Sequence, residues 1–268
     1  MRELTVLKIA IAAFSILLIV LLIKLFAGNI FAPYWFQFGV KSGSSVAFNN
    51  GAKVEIQTIV PQNITNNGLL AFWVGEKLSN GAFLQVGYEI QSKIGYYSAI
   101  CNESGYTNAE KIKAGDAEWF YVYYTSNAQG KYFGAIGPDG SAGTNGTFNT
   151  YGFYSVGDTW YFTFDGQIIG NINLGTNNSG THAPVAVGEL AGVNTNNVYI
   201  KDVMFSNLVV YKNGRWLPAS SGYAYIDYGT GSKKILKNPY GVEEVNNMPN
   251  YFVVGSGLPQ PNGAQLWT

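Results

Sequence analysis

Past residue 28, no segment of this 268-residue chain carries a helical period. Short runs of alternating apolar and polar residues follow one another instead, separated by Gly, Asn and Asp. The clearest is Thr159-Trp160-Tyr161-Phe162-Thr163-Phe164, whose side chains alternate between two faces. The next pair, Asp165-Gly166, suits the left-handed turn of a tight hairpin leading into Gln167 to Leu174. Comparable runs extend over Lys53 to Val60, Leu69 to Val74, Ala82 to Ile90, Ala117 to Thr125, Val198 to Tyr211 and Tyr251 to Gly255. Many strands at short spacing without crossover helices predict an all-β fold, an antiparallel sandwich or jelly roll.

The first 28 residues are different in kind. Between Lys8 and Lys24 every residue from Ile9 to Ile23 is uncharged and almost all are apolar. Taken from Leu4 to Phe26, with both lysines snorkelling to the interfaces, a helix here reaches roughly 34 Å, enough for a bilayer core of roughly 30 Å. The reading is one N-terminal transmembrane helix holding the chain to the membrane through residues 4–26. Arg2 and Lys8 place the short N-terminus in the cytoplasm and the large domain outside. A cleaved secretory signal is the alternative, against which Leu25-Phe26-Ala27 is a poor cleavage site. Phe31, Tyr34, Trp35, Phe36 and Phe38 suit an interfacial aromatic belt and equally the opening of a first strand. The expected organisation is an anchor over 1–28, a juxtamembrane segment over 29–44 and one β-sandwich domain over 45–268.

Composition narrows the function. Charged residues make up 12% of the chain and aromatics 15%, and the formal net charge is zero with no basic cluster, which argues against nucleic acid as a partner. One cysteine, Cys101, excludes an intrachain disulfide, and one histidine, His182, leaves little for a Cys/His metal site or an activated thiol. No metal and no cofactor are expected. Four sequons, at Asn63, Asn102, Asn145 and Asn177, all follow the membrane segment and sit among turn formers, as glycosylation of an extracytoplasmic domain requires.

The hairpin phrase Trp160 to Gly170, the run Pro184-Val185-Ala186-Val187-Gly188-Glu189 and the closing Val253 to Pro259 resemble strands of concanavalin A-like lectin and glucanase sandwiches. The region 45–268 is similar to anchored surface proteins of thermoacidophilic archaea that carry such a domain. This resemblance implies a jelly-roll sandwich and a glycan-binding face, with Trp73, Tyr88, Trp119 and Trp160 as candidate stacking residues. Sugar hydrolysis would need two carboxylates, and Glu89 or Glu118 with Glu189 are the pairs available.

A second resemblance lies inside the first. Trp73-Val74-Gly75 followed by Gln85-Val86-Gly87, then by Ala114-Gly115-Asp116 before an aromatic strand, is similar to glutamic peptidases of the eqolisin kind. That family implies an acid-active endopeptidase in which Glu189 activates a water and the Gln85 amide donates to the developing oxyanion. In this chain Glu189 is followed by Leu190, whereas the family's catalytic Glu stands before Trp; the Glu-Trp pair here is Glu118-Trp119. The sequence therefore leads to a membrane-anchored, glycosylated surface module that binds carbohydrate or builds the envelope, with the peptidase as one alternative. A filament or envelope subunit assembling by strand addition is the other.

Overall fold

The computed structural model describes residues 35–43, 47–62, 69–91, 105–107, 115–125, 132–138, 140–175, 179–180, 183–191, 199–219, 222–228, 240–244 and 251–259. The anchor over 1–28, the sequons Asn63, Asn102 and Asn177, Cys101 and His182 lie outside these. Among the described residues no helix is long and apolar enough to cross a membrane.

The described chain is all strand and turn. In order the strands are β1 (Trp35–Ser42), β2 (Gly51–Gln57), β3 (Leu69–Lys77), β4 (Phe83–Gln91), β5 (Gly105–Thr107), β6 (Ala117–Tyr124), β7 (Tyr132–Ile136) and β8 (Phe148–Val156). They continue as β9 (Thr159–Phe164), β10 (Gln167–Asn173), β11 (Val185–Ala191), β12 (Val203–Lys212), β13 (Arg215–Pro218), β14 (Gly222–Tyr228), β15 (Tyr240–Glu244) and β16 (Tyr251–Ser256). Two sheets form: β14-β1-β11-β3-β4-β6-β7-β5, and β10-β9-β8-β2-β12-β16-β15 with β13 also paired to β12. Among the described strands only the β5–β7 pair is parallel. This is an antiparallel sandwich of two sheets.

Alternation does what the sequence requires of it. Leu70, Phe72 and Val74 of β3, Leu84, Val86 and Tyr88 of β4, and Trp160 and Phe162 of β9 meet between the sheets in one core. The hairpin after Phe164 turns through Asp165 and Gly166, both at positive φ (47° and 77°), the geometry for which Asp-Gly is suited. The segment expected as juxtamembrane supplies β1, which lies between β14 and β11, so the sandwich takes in residues before 45.

The first sheet is buried on both faces. Leu69 to Glu76 of β3 are all buried, because Ala71 and Trp73 point away from the main core into a second apolar cluster with Phe120, Val122, Ile136 and Val187. That outer face carries the polar residues that matter below. Apolar walls around a few polar groups lower the local dielectric and make each hydrogen bond there count for more.

Candidate functional site

Two Gln-x-Gly strands and one Trp-x-Gly strand build the site. Gly75 and Gly87 are bare for a steric reason. A Cβ on Gly75 would lie 2.7 Å from Cζ3 of the Trp73 indole, and one on Gly87 would lie 2.6 Å from the Trp73 Cα and Cβ across the β3–β4 pair. The indole therefore lies along its own strand, over Gly75, and Phe83 fixes it edge-on at 5.8 Å between ring centroids. Gly39, two residues after Gln37, makes the same close approach to β11, where a Cβ would lie 2.2 Å from the Ala186 carbonyl oxygen.

These strands aim three N–H donors at one atom. Trp73 Nε1 donates to Glu189 Oε2 at 2.8 Å, Gln37 Nε2 at 3.1 Å and Gln85 Nε2 at 3.5 Å. Glu189 Oε1 receives no hydrogen bond among the described residues. Trp73 is fully buried and Gln37 nearly so, whereas Gln85 and Glu189 keep partial exposure, so solvent reaches the site at those two residues. Burial raises the pKa of Glu189 from 4.5 to about 7, against the opposing effect of the hydrogen bonds from Trp73, Gln37 and Gln85. A carboxyl group poised near neutrality can take a proton from water and return it.

The register adds a row of acids. Across six neighbouring strands Asp227, Gln37, Glu189, Ala71, Glu89 and Glu118 stand opposite one another in turn. Glu89 and Glu118 are fully buried, with Gln91 Nε2 donating to Glu89 Oε1 at 2.8 Å. They are not presented to a ligand as the carboxylate pairs considered for sugar hydrolysis would be. Among the described residues no cluster of His, Cys, Asp or Glu is placed to hold a metal ion.

The sequence-expected residues divide. Gln85, Glu189 and Trp73 come together, the last through its N–H rather than its ring face. Tyr88 and Trp160 are buried between the sheets and offer no face to a sugar. The Tyr88 hydroxyl donates to the Gln57 carbonyl at 3.0 Å and accepts from the Ile59 N–H at 3.3 Å, and Trp160 packs on Phe153 at 6.0 Å. Both are core residues because alternation directs even-numbered positions of β4 and β9 inward. Trp119 is half-buried against that core, over Gly137. Asn145 is exposed in the turn before β8, with its Oδ1 accepting from the Val60 N–H at 3.0 Å. Gln37 was not foreseen. The available signal was the repetition of Gln-x-Gly in Gln37-Phe38-Gly39 and Gln85-Val86-Gly87.

No protein-family model matches this sequence, and no curated protein does. Solved structures similar to the chain include SCP-B, an eqolisin-family peptidase in complex with the tripeptide Ala-Ile-His, at 10% identity and a TM-score of 0.44, covering 83% of this chain and 98% of that one. The galectin LEC-6 of Caenorhabditis elegans is 8% identical with a TM-score of 0.30, covering 58% of this chain and 95% of its own. A mixed-linkage glucan GH16 protein of Bacteroides ovatus is 12% identical with a TM-score of 0.33, covering 60% and 67%.

Proposed function

We propose that the chain is a peptide-bond hydrolase in which Glu189 is the general base and Gln85 the oxyanion donor. The observation that supports this most is the loading of Glu189: three N–H groups converge on Oε2 while Oε1 keeps no donor among the described residues. Oε1 is then the atom that takes a proton from an attacking water. As the water oxygen bonds to the carbonyl carbon, the carbonyl oxygen gains negative charge, and the Gln85 amide, already at the site's open side, donates to it. Protonated Glu189 then gives its proton to the departing amide nitrogen, and the C–N bond breaks to leave a carboxylic acid and an amine. Trp73 and Gln37 hold the carboxyl group in place throughout.

The pKa of about 7 supports a different pH range from the one the eqolisin resemblance implies. The base form of Glu189 becomes the main species only above that value, so the reading is a peptidase whose activity rises toward neutral pH. The apolar segment 4–26, the charges before it and the exposed Asn145 support a glycosylated domain held outside the membrane by one span. Digestion of unfolded casein by the full-length chain in detergent tests the assignment. Cleavage by the wild type that disappears in Glu189→Gln, with the fold retained, is expected; equal cleavage by that variant, or none by a folded wild type, would end it.

A further inference from the structure

The outer face of the second sheet carries a row of rings that the Glu189 site does not use. Asn171 stands opposite Tyr161, Tyr161 opposite Tyr154, Tyr154 opposite Gly51, and Tyr211 opposite Trp216. The Val210–Ala52 pair sets Tyr211 beside Gly51, so the row crosses β10, β9, β8, β2, β12 and β13 without a break. At about 4.8 Å per strand it extends roughly 24 Å. The rings touch in sequence: Tyr161 to Tyr154 at 5.5 Å, Tyr154 to Tyr211 at 6.4 Å and Tyr211 to Trp216 at 5.1 Å. Gly51 permits the middle contact, since with no side chain between them the rings of β8 and β12 close over β2.

We propose that this strip binds a single chain of a neutral polysaccharide. The ligand is a glycan because the half-exposed rings present apolar edges with polar tips, while Asn171 and Thr159 beside them carry amide and hydroxyl groups and the Thr163 hydroxyl, which donates to the Gly152 carbonyl, keeps its acceptor side. It is neutral because the row contains no charged residue. In the next row Lys53 already lies over one face of the Trp216 ring, 4.5 Å from its centroid, and one row further Glu55 accepts from Ser206 Oγ and Asn207 Nδ2 at 2.8 Å each. It is a single chain rather than a crystalline surface because the ring planes turn by 68° between Tyr154 and Tyr211 and by 46° between Tyr211 and Trp216. A flat sheet of sugars cannot meet all of them, and a flexible strand can. Trp216, at 37% exposure, is the ring most open to it.

Affinity electrophoresis of the full-length chain in mild detergent, through gels containing soluble mixed-linkage β-glucan, galactomannan or dextran, tests this. Retardation is expected in at least one gel, with affinity falling at least about fivefold in Trp216→Ala and equally in Trp216→Leu, which keeps apolar bulk and removes the ring. Microcrystalline cellulose is expected to leave the protein in solution. Three results would overturn the proposal: no retardation in any gel, retardation that survives both substitutions in folded protein, or binding to microcrystalline cellulose alone. Sedimentation showing a wild-type dimer that Trp216→Ala converts to monomer, without glycan retardation, would assign the strip to a second copy of the chain instead.

Discussion

The indole Nε1 of Trp73 donates to Oε2 of Glu189 at 2.8 Å, joining residues 116 apart in sequence. This bond turns a buried tryptophan into a positioning group. It lowers the Glu189 pKa while burial raises it, and the balance falls at about 7.

Replacing Trp73 by Phe keeps most of the ring and removes the donor. With one less hydrogen bond to the charged form, the pKa of Glu189 moves above about 7, and the rising limb of the rate–pH profile moves with it to higher pH. Gln37→Leu acts in the same direction. The profile of kcat/KM on a fluorogenic peptide reads the shift, and an unmoved limb in both variants would remove Trp73 and Gln37 from this role.

Glu189 should also make the protein less stable in alkali. Its folded pKa lies above the ordinary 4.5, so its contribution is fully present below pH 4.5 and is lost as pH rises through about 7. Glu189→Gln mimics the protonated form. It should unfold like the wild type in acid and resist denaturant better at pH 8 by up to about 3 kcal/mol, while losing activity. Urea titrations at the two pH values decide this.

Glu76 makes a related prediction at the other face of β3. Its carboxyl group is fully buried, accepts from Asn49 Nδ2 at 2.7 Å through Oε1, and leaves Oε2 with no partner among the described residues. Burial raises its pKa well above the usual carboxylate range. Stability that it supports in acid is therefore lost as pH rises toward that higher value, and Glu76→Gln should raise the alkaline melting temperature without changing the acid one. A lower melting temperature at both would show that the ionised form is the native one.

Gly75→Val tests the packing under the indole. A Cβ already meets Cζ3 of Trp73 at 2.7 Å, so the larger side chain displaces the ring and costs about 1–3 kcal/mol. Cleavage at a temperature where the variant is still folded should fall far more than the wild type's does on Phe164→Leu, a change on the opposite sheet. Equal effects would mean that the indole's position does not matter to the reaction.

Local chemistry made the sandwich readable. Thr159 to Phe164 alternates, and Asp165-Gly166 takes the positive φ angles its composition favours, so one hairpin could be drawn from ten or so residues. β1 was harder to place, because Trp35 to Phe38 after an apolar segment satisfies a membrane interface as well as a strand. The site divides along the same line. Gln85, Trp73 and Glu189 stood in short motifs that could be matched, whereas Gln37 reaches Glu189 over 152 residues and only the register of β1 on β11 joins them. The sequence likewise suggested Tyr88 and Trp160 as sugar platforms, since alternation shows that residues share a face without saying which face is the core.

The initial rate of peptide cleavage by the full-length chain in detergent, measured from acid to alkaline pH for the wild type and for Gln85→Ala, reads the two roles assigned to Glu189 and Gln85 together. The wild-type rate should rise through a limb near pH 7. In Gln85→Ala, which also removes one hydrogen bond to the carboxylate, the limb is expected to move to higher pH and the plateau rate to fall by about 10²- to 10³-fold, as removal of an oxyanion donor produces. A limb below pH 5, or a Gln85→Ala rate equal to that of the wild type, would remove Glu189 and Gln85 from these roles.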